Sequence, residues 1–477
     1  MCISLNCNEW AKDTFGDAAL GDKRLTKRLE LIAAQLSSSI GTSLAASCNG
    51  DEAALEGSYR FIRNNQFTAE NIAEGGFLST VRKSANRDVL LAIEDTTSLA
   101  FTHNVREQLG DLGGPKNAHS RGFIVHTSLM LDGETEETLG LIDQNRWCRD
   151  AADRGKKHQR DNRPYDEKES YKWEENSRVI SERMGDLMPN VISVCDREAD
   201  VYEYISYKIE NNQRFIVRAS NDRNVEDTKN SLFAQISEAK KIGEYCIEIT
   251  QKGGRKARAA TIILQAKEIT IMPPERKVKN GLTPLTINVV FATEENCPKD
   301  VEPLQWILIT TEDISSFANA RKITRYYELR WRIEEFHKAW KSGAGAEEQR
   351  MQDANNLEKM VVLLAFIAVR LLQLKEGLEK EKIEPSEKIP CTTMLSKEEW
   401  AMLWFSTYEH KALPKKPESL KWAYCAIAKL GGWVDSKRTG KASWATIWKG
   451  WFKLQERIIG CTTMCGRRHY SELKLSN

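Results

Sequence analysis

The first 70 positions carry hydrophobic residues at helical spacing. The apolar positions of the clearest predicted helix are Leu25, Leu29, Ile32 and Leu36. Residues three or four positions apart share one face of a helix, so this segment predicts an amphipathic helix. The segment EAALEGSYRFIR predicts a second one. Both segments carry basic side chains, which suit DNA phosphates, although pattern alone favours an ordinary solvated helix face.

Short apolar runs replace the helical pattern after about residue 85. They predict strands at 89–93, 123–131, 139–142, 191–194 and 215–217, with helices at about 168–186 and 198–210. Several strands followed by a strand–helix–strand unit are typical of a mixed sheet. The sequence therefore predicts an α/β domain after the helical start of the chain.

Residues from about 228 to 312 predict an insertion rich in strands. The strands are predicted at 245–249, 259–264, 269–272, 285–292 and 306–310, with basic connecting segments GGRKAR and ERKVK. A long helix follows at about 316–342, and another at about 356–376. The second contains the apolar run 360–374, which Arg370 interrupts. This run is too short to span a bilayer, so it predicts a buried helix.

The chain from about 391 onward predicts a separate helical unit. A charged segment, KEGLEKEKIEPSEKIP, separates it from the preceding helix, and the unit contains seven of the 13 tryptophans. Tryptophan is highly buried on average, so this composition indicates packed helices and not a tail.

Composition narrows the class of protein. A length of 477 residues suggests two to four domains. Lys and Arg total 70 against 68 Asp and Glu, so a nucleic-acid surface would have to come from local clusters of basic residues. The 11 scattered cysteines indicate reduced thiols in a cytosolic protein. The start, MCISLNCNEW, lacks the features of a signal peptide, so we expect a cytoplasmic protein with no membrane partner.

Two kinds of site are disfavoured. The sequence has no Gly-rich phosphate loop, so nucleotide hydrolysis is not expected. Cys461, Cys465 and His469 supply only three ligands, at a spacing that fits no standard zinc finger. Cys195 is expected to be a small buried residue. We expect His126 and His337 to make polar contacts in the core or near a nucleic acid.

The segment YYELRWRIEEFHKAWK, at 326–341, carries the most informative pattern. On an ideal helix its polar residues Tyr327, Arg330, Glu334, Lys338 and Lys341 share one narrow stripe. The apolar residues of the opposite side are Leu329, Ile333, Phe336 and Trp340. An ordinary amphipathic helix with i,i+4 ion pairs is one interpretation. The other is a site in which one carboxylate holds a cation while the basic groups hold a phosphate.

Two further carboxylates, Asp95 and Asp196, follow apolar strands. Strand ends of an α/β sheet often carry functional side chains, although an Asp after a strand is more often a turn or helix-capping residue. Together with Glu334 these residues could hold two divalent cations about 3.5–4 Å apart. Carboxylate oxygens suit Mg²⁺, which also takes substrate phosphates as ligands.

The chain resembles the insertion-sequence-four family of bacterial DDE transposases, including those of composite transposons. The matching stretches run along nearly the whole chain and are WAK, AALGD, EGSYRFIRN, LLAIEDTTSL, SRGFIVH, DEKES, CDREAD, RWRIEEFHKAWK, GAGAE, VRLLQL, SKRTG and ASW. The resemblance implies an RNase-H-like mixed-sheet catalytic domain at 71–376 with an inserted β-rich lobe at about 228–312. Helical domains would flank it, a DNA-end-binding domain at 1–70 and a dimerisation domain at 391–477.

The resemblance also implies the chemistry. Asp95, Asp196 and Glu334 would be the catalytic and metal-binding residues, with Mg²⁺ as the cofactor and Mn²⁺ able to substitute. Such enzymes nick the transposon end, form and reopen a hairpin, and join the 3′ ends to target DNA. Tyr327, Arg330, Glu334 and Lys341 would be the family's Tyr-Arg-Glu-Lys signature. This activity is cut-and-paste transposition of double-stranded DNA bounded by inverted-repeat ends.

The remaining implied residues contact DNA. They are Arg24, Arg28, Arg60, Arg218, Trp306, Tyr327, Arg330, Trp331, Lys338, Lys341, Ser436, Lys437 and Ser443. Trp306 would stack on a flipped base, although its pattern alone favours a core aromatic of a strand. The family has a lysine where this chain has Ser220, so the resemblance does not imply that contact here.

The resemblance finally implies a homodimer assembled on DNA, in a nucleoid-associated protein. Trp444, Trp448 and Trp451 would lie in the dimer region, and an intramolecular core is the alternative for them. Two other functions stay open at this point. One is an inactive, transposase-derived DNA-binding regulator, and the other is a metal-dependent nuclease without strand transfer.

Overall fold

The computed structural model describes most of the chain. The described residues are 7–38, 43–48, 50–113, 120–149, 163–226, 230–249, 258–274, 281–299, 301–379, 389–393, 395–436 and 442–464. Within them the structure contains fourteen α-helices and ten strands.

The helices occupy both ends of the chain and separate the strands. They are α1 (Cys7–Phe15), α2 (Lys23–Ser38), α3 (Leu44–Ser47), α4 (Glu52–Ile62), α5 (Ala69–Ser84), α6 (Lys172–Met184), α7 (Tyr202–Glu210), α8 (Leu232–Ser237), α9 (Phe317–Glu328), α10 (Trp331–Lys338), α11 (Ala354–Glu379), α12 (Lys397–Thr407), α13 (Leu420–Leu430) and α14 (Trp444–Met464). Shorter 3₁₀ turns lie at Asn104–Gln108, Tyr165–Glu167, Glu169–Tyr171, Gly185–Asn190, Arg197–Ala199, Ala346–Glu348 and Cys391–Thr393, and a π-helical turn at Ala339–Gly343.

Side-chain caps explain several helix starts. Asp51 accepts a hydrogen bond from the N–H of Ala54 at the start of α4. Thr68 forms a capping box with Asn71 at the start of α5. Such caps satisfy N–H groups that have no partner within the helix. The two helices predicted within the first 70 residues are confirmed as α2 and α4.

The strands form one mixed sheet. They are β1 (Leu90–Phe101), β2 (Gly110–Asp111), β3 (Arg121–Asp132), β4 (Thr138–Trp147), β5 (Val191–Cys195), β6 (Arg214–Arg218), β7 (Lys241–Ile249), β8 (Arg258–Ile271), β9 (Leu285–Glu295) and β10 (Gln305–Thr310). Their order is β2-β3-β1-β5-β6-β10-β9-β8-β7, with β4 also paired to β3. β1, β5 and β6 are parallel, and the other described pairs are antiparallel.

The strand-rich insertion extends this sheet. β10 pairs with β6, and β9, β8 and β7 follow outward from it. The predicted inserted strands are therefore present, but they continue the central sheet and do not form a second one. The prediction of two strands at 259–264 and 269–272 was wrong. β8 runs through the polar stretch between them because its pairing with β9 is uninterrupted from Thr261 to Ile271.

The two faces of the sheet carry different cores. One face packs against α1–α5, α10 and α11, with Leu91 and Ile93 of β1 in the same cluster as Phe336 and Phe366. The other face packs against α6 and α7, where Trp173 is almost fully buried. Neighbouring residues of β1 point to opposite faces, so the two cores meet along this one strand.

α11 lies at the centre of the first core. Its residues Met360–Leu372 are buried along nearly the whole length, which confirms the predicted buried helix. Gly76 of α5 allows close packing, because a Cβ at this position would lie 2.2 Å from the ring of Phe366. No helix of the described ranges is long and apolar enough to cross a membrane.

The C-terminal helices form a further core of their own. Leu403 of α12, Ile427 of α13 and Leu454 of α14 are fully buried within it. Trp451 belongs to this core, and Trp448 packs against both this core and the central one. The intramolecular interpretation of the C-terminal tryptophans is therefore correct for these two residues. The side chain of Trp444 lies outside the described part of the structure.

Candidate active site

Asp95 and Asp196 lie side by side in the sheet. The last parallel pair of β1 and β5 is Glu94 with Cys195, and the two aspartates are the next residues of each chain segment. Adjacent strands run about 4.8 Å apart, so the backbones bring the two carboxyl groups to one place. The prediction that Asp95 ends a strand was wrong, because β1 continues to Phe101 on its antiparallel partner β3. Asp95 instead marks the point where β1 loses its neighbour β5.

The surroundings of Asp95 disfavour its negative charge. Burial raises the pKa of Asp95 from 3.8 to about 6, and the carboxylates of Asp196 and Glu334 add to the effect while Arg330 opposes it. One oxygen, Oδ1, accepts a hydrogen bond of 2.9 Å from the N–H of Thr96. A carboxyl group crowded by other anions is one that a bound cation would stabilise.

Asp196 has a second, local role. Its Oδ1 accepts a hydrogen bond of 2.8 Å from the N–H of Glu198, which caps the 3₁₀ turn Arg197–Ala199. The capping interpretation from sequence is therefore correct. The cap uses only Oδ1, so Oδ2 of Asp196 takes no part in this bond. Glu198 itself pairs with Lys172 at 3.3 Å.

Glu334 lies on a broken helix. The predicted single helix at 316–342 is wrong, since α9 ends at Glu328 and α10 begins at Trp331. At the break the hydrogen bonds tighten to three-residue spacing, from the N–H of Arg330 to Tyr327 and from the N–H of Arg332 to Leu329. A π-helical turn, closed by the N–H of Ala344 and the carbonyl of Ala339, follows α10. Both departures rotate side chains away from the angles of an ideal helix.

The break divides the predicted polar stripe. Tyr327 is buried, and its ring centre lies 5.9 Å from that of Trp306. Burial raises the pKa of Tyr327, and the guanidinium groups of Arg330 and Arg218 partly offset this. Lys338 is exposed, and Lys341 is half-buried on the π-helical turn. The predicted apolar side, Leu329, Ile333, Phe336 and Trp340, is buried, which confirms that half of the pattern.

Arg330 joins two of the three carboxylates. Its Nη2 donates to Oε1 of Glu334 at 2.8 Å, and its Nη1 lies 3.7 Å from Oδ2 of Asp95. Burial lowers the pKa of Lys341, and the carboxylates of Glu347 and Asp95 oppose this, so a second cation also faces the site. Three acidic and two basic side chains therefore share one partly buried place beside the carboxyl end of β5, in the middle of the sheet.

The carboxylates are not arranged around a single point. Among the residues that the structure describes, no group of three His, Cys, Asp or Glu side chains is placed to hold a metal ion. Arg330 lies between Asp95 and Glu334 and partly neutralises them. The donor set nevertheless fits a hard divalent cation, because all three ligands offered are carboxylate oxygens.

Aromatic and basic side chains line the same region. Trp331 is 56% exposed, and the guanidinium of Arg330 lies 5.9 Å from its ring centre. Trp306 is half-buried on β10. Arg218 ends β6 and donates to the carbonyl of Gln305 at 3.1 Å. Tyr327 connects this region to the carboxylates, because its ring contacts Trp306 and its hydroxyl is influenced by the charges of Arg218 and Asp196.

The predicted DNA contacts of the N-terminal helices differ in exposure. The side chain of Arg24 is 92% exposed and pairs with Asp22 at 2.8 Å. Arg60 is exposed on the last turn of α4. Arg28 is half-buried against Gly57, where an added Cβ would lie 2.8 Å from its Nη1. Arg28 therefore also packs α2 against α4.

The predicted contacts of the C-terminal unit are partly described. Ser436 is exposed. Ser443 is exposed at the start of α14 and accepts a hydrogen bond of 3.2 Å from the N–H of Thr446. Lys437 lies outside the described residues, as do Cys465 and His469 of the disfavoured zinc group.

His337 faces the site, where the sequence had predicted a polar contact in the core or near a nucleic acid without naming Asp95 as its neighbour. Its Nδ1 lies 4.0 Å from Oδ2 of Asp95, and its Nε2 has no hydrogen-bond partner in the described part of the chain. Burial lowers the pKa of His337 to about 3, with further contributions from Lys341, His126 and Arg330. The imidazole is therefore neutral beside Asp95. Its position on α10, three residues after Glu334, is the only sequence feature that could have indicated this.

A buried polar cluster lies on the other side of β1. Glu94 is fully buried, and its Oε2 accepts a hydrogen bond of 2.7 Å from Asn176. Burial alone would raise the pKa of Glu94, but His126, at 3.6 Å, and Lys208 hold it below its ordinary value. Cys195 is fully buried here, as predicted. Sequence did not reveal this cluster, because its partners are far apart along the chain.

Asp200, the last residue of the CDREAD segment, binds the loop that follows β6. Asp200 is buried, and its Oδ2 accepts hydrogen bonds from the N–H groups of Ser220 at 2.7 Å and Asn221 at 2.8 Å. Its Oδ1 pairs with Arg223 at 2.5 Å. Asp200 thus fixes the loop that follows Arg218. Ser220, which stands where the resembled family has a lysine, takes part in this anchor.

Comparison with known protein families gives two matches. Residues 7–67 match the family model described as transposase DNA-binding, and residues 181–370 match the transposase DDE domain. The second span contains Asp196 and Glu334, whereas Asp95 lies before it. A DDE transposase domain implies an enzyme that cleaves or transfers DNA, and a transposase DNA-binding domain implies DNA as a partner. The two matches support a transposase function.

Proposed function

We propose that this chain is a DDE transposase of the insertion-sequence-four family, which moves a DNA element by nicking, hairpin formation and strand transfer at its ends. The single observation that carries the proposal is the adjacency of Asp95 and Asp196, with Glu334 linked to Asp95 through Arg330. The pairing of β1 with β5 brings the two aspartates together, and Arg330 ties Glu334 to Asp95. The order β4-β3-β1-β5-β6 of the central strands supports an RNase-H-like sheet.

DDE transposases generally use divalent metal ions, and the carboxylates of this site suit them. Asp95, Asp196 and Glu334 would hold Mg²⁺, or Mn²⁺ in its place. When bound, a pair of such ions activates an attacking oxygen and stabilises a leaving oxygen in phosphoryl transfer. The protein must therefore keep Asp95 ionised and allow Arg330 to leave the carboxylates.

The basic side chains near the carboxylates would bind DNA phosphates. Arg330, Lys338 and Lys341 lie on or beside α10 and would hold the phosphates that flank the cut bond. When Arg330 binds a phosphate, its bond to Glu334 is exchanged for one to DNA. Tyr327, buried between Trp306 and Arg218, would keep the adjoining surface in place.

The exposed aromatic surface suits an unstacked base. Trp331 is a large hydrophobic side chain that is exposed to solvent. Trp306 lies half-buried beside Tyr327. Extruding a base from a duplex costs a few kcal/mol, which stacking on an aromatic side chain partly offsets. We assign Trp306 and Trp331 to the base that is flipped during hairpin formation.

The three proposed domains follow one another along the chain, and each has its own role. Residues 1–70 would bind the transposon end through Arg24, Arg28 and Arg60, and residues 71–376 would carry the chemistry. Residues 391–477 would join two protomers on paired ends, with Ser436, Lys437 and Ser443 near DNA. The separate core of the C-terminal helices supports this last assignment, since a unit with its own core can form an interface without disturbing the sheet.

A cleavage and joining assay tests the proposal. Inverted-repeat DNA from either side of the gene is incubated with the protein, Mg²⁺ and a target plasmid. We expect nicked, hairpin and joined products from the wild type. Asp95→Ala, Asp196→Ala and Glu334→Ala should abolish all three while end binding survives, and Asp186→Ala, at an exposed position, is the control.

Each alternative gives a different result in this assay. Binding without any cleavage by the wild type would favour an inactive regulator. Cleavage without joined products would favour a nuclease. Loss of end binding in all three alanine variants would mean that these carboxylates are structural.

A further inference from the structure

Two ion pairs fasten α10 to the last turns of α11. Arg332 pairs with Glu376, and Glu335 pairs with Lys375 at 2.6 Å. The two α10 residues flank Glu334 in sequence. On an ideal helix Arg332 lies about 160° from Glu334, so this pair holds the side of α10 that faces away from the carboxylates.

Glu376 is bound on several sides. Its side chain is 13% exposed, and in addition to Arg332 it accepts hydrogen bonds from the N–H of Thr138 at 2.9 Å and from the hydroxyl of Thr138 at 2.6 Å. Gln373, one helical turn earlier, donates to the carbonyl of Thr138 at 2.8 Å. A largely buried, fully partnered carboxylate permits little movement, because losing one partner leaves an uncompensated charge.

The other half of the broken helix is fastened to the same hairpin. Arg325 of α9 donates to Glu136 at 2.6 Å and also pairs with Glu328. Glu136 lies in the turn between β3 and β4, two residues before Thr138, and has a φ of 59°. A left-handed conformation is unfavourable for a residue other than glycine, so contacts must hold it. The hairpin therefore binds α9 directly through Glu136, and it is linked to α10 through Thr138 and Glu376 of α11.

We propose that Arg332 and Glu376 are positioning residues for Glu334, and this rests on the proposed function. They set the direction of α10 against the sheet, and thereby the distance of Glu334 from Asp95 and Asp196. The polar contact of Glu334 itself is with Arg330, and in the proposed function Arg330 exchanges this contact for one to a phosphate. The clamp of Arg332, Glu376 and Thr138 then keeps the third carboxylate in place while its own partner changes.

The clamp also adjoins the C-terminal unit. Leu374 directly precedes Lys375 and packs against the core of α12–α14. Residues Lys375 and Glu376 are therefore joined to the active-site helix on one side and lie next to the C-terminal core on the other. The clamp depends on geometry as well as on charge, because the guanidinium of Arg332 must reach the fixed carboxylate of Glu376.

Two measurements on Arg332→Gln test the proposal. The first is hydrogen exchange of the peptide that covers α10, in the full-length protein without DNA. The second is single-turnover cleavage of end-bearing DNA across a range of Mg²⁺ concentrations. The matched control is Arg214→Gln, which breaks the pair of Arg214 with Glu312 at the start of β6. Side-chain exposures are similar, 24% and 13% for the clamp against 31% and 14% for the control.

We expect Arg332→Gln to lose protection in α10 and to need about ten- to a hundredfold more Mg²⁺ for half-maximal cleavage, the usual effect of removing a partner that orients a ligand. Arg214→Gln should change neither. Arg332→Lys, which keeps the charge, should recover part of the Mg²⁺ affinity. A mere loss of folded protein would lower the amount cleaved at every Mg²⁺ concentration and leave the half-maximal concentration unchanged.

Three outcomes would overturn the proposal. They are an unchanged Mg²⁺ requirement, unchanged protection of α10, or equal effects in Arg332→Gln and Arg214→Gln. If the wild type fails to cleave, the proposed function fails. The exchange measurement then still decides whether Arg332 fastens α10.

Discussion

Replacing Asp95 with asparagine should stabilise the metal-free protein while it abolishes cleavage. The folded structure raises the pKa of Asp95 from 3.8 to about 6, chiefly through burial. Ionising this group in the folded state at neutral pH therefore costs about 3 kcal/mol, at 1.36 kcal/mol for each tenfold change. The side chain is only 19% exposed, so solvent screening removes little of this. The amide of asparagine carries no charge, so the variant avoids the cost.

The sign of the effect depends on pH. Between pH 3.8 and about 6 the folded state binds more protons at Asp95 than the unfolded state does. Stability of the wild type therefore falls as pH rises through this window and stays lower above it. The advantage of Asp95→Asn is about 3 kcal/mol at pH 8 and about half of that at pH 5 by the same linkage.

Thermal unfolding in EDTA at pH 5 and pH 8 measures this difference. If the roughly 300 residues of the proposed catalytic domain unfold in one step, about 3 kcal/mol raises the Tm of that domain by about 5 °C. Asp186→Asn, at an exposed position, is the control for loss of one negative charge. A gain that is equal at both pH values, or a loss of stability at pH 8, would show that the surroundings of Asp95 do not oppose its charge.

Three further predictions concern DNA. Trp306→Ala should slow hairpin formation more than the first nick, because the indole is assigned to the flipped base; gel analysis of the two products that shows equal slowing would contradict this. Arg60→Ala should weaken binding of the DNA end and reduce the slope of log affinity against log salt by about 1, because one phosphate contact is lost; an unchanged slope in a salt titration would remove Arg60 from the interface. Deleting the chain after about residue 400 should abolish pairing of two ends and leave single-end binding intact, which gel shifts distinguish; unchanged pairing would move the dimer interface elsewhere.

The pattern of hydrophobic residues was enough to predict most elements. The spacing of Leu25, Leu29, Ile32 and Leu36 predicted α2, and the apolar run from Met360 predicted the buried part of α11. These elements bury their apolar faces, so burial and periodicity coincide. The prediction of strand length failed in the middle of β8, where polar residues interrupt the apolar pattern. The strand continues there because it pairs with β9, which is a long-range interaction that the local sequence does not show.

Helix geometry limited the prediction of the site. An ideal helix through 326–341 placed Tyr327 beside Glu334, whereas the structure buries Tyr327 against Trp306. The 3₁₀ bonds at Arg330 and the π-helical turn after Lys338 change the rotation per residue, and no local sequence feature signals either. The predicted apolar side was nevertheless correct, because packing in the core determines which residues are buried, whatever their exact angle around the helix axis.

Adjacency of the two aspartates could be expected from sequence only in part. Both follow apolar runs, which predicted strand ends at one edge of a sheet. That they are direct neighbours depends on the register of β1 with β5. The supporting contacts, such as Arg332 with Glu376 and Asp200 with Ser220, join residues 44 and 20 positions apart and carry no local pattern.

In the proposed function, Asp95, Asp196 and Glu334 together hold the ions that cut DNA. The most direct measurement is anomalous diffraction from crystals of the protein with a transposon-end duplex and Mn²⁺. We predict two Mn²⁺ peaks about 3.5–4 Å apart, bounded by these three carboxylates, with Arg330 turned onto a phosphate. Peaks bound to other residues, or a Glu334 carboxylate that remains paired with Arg330 and takes no part in binding, would contradict it.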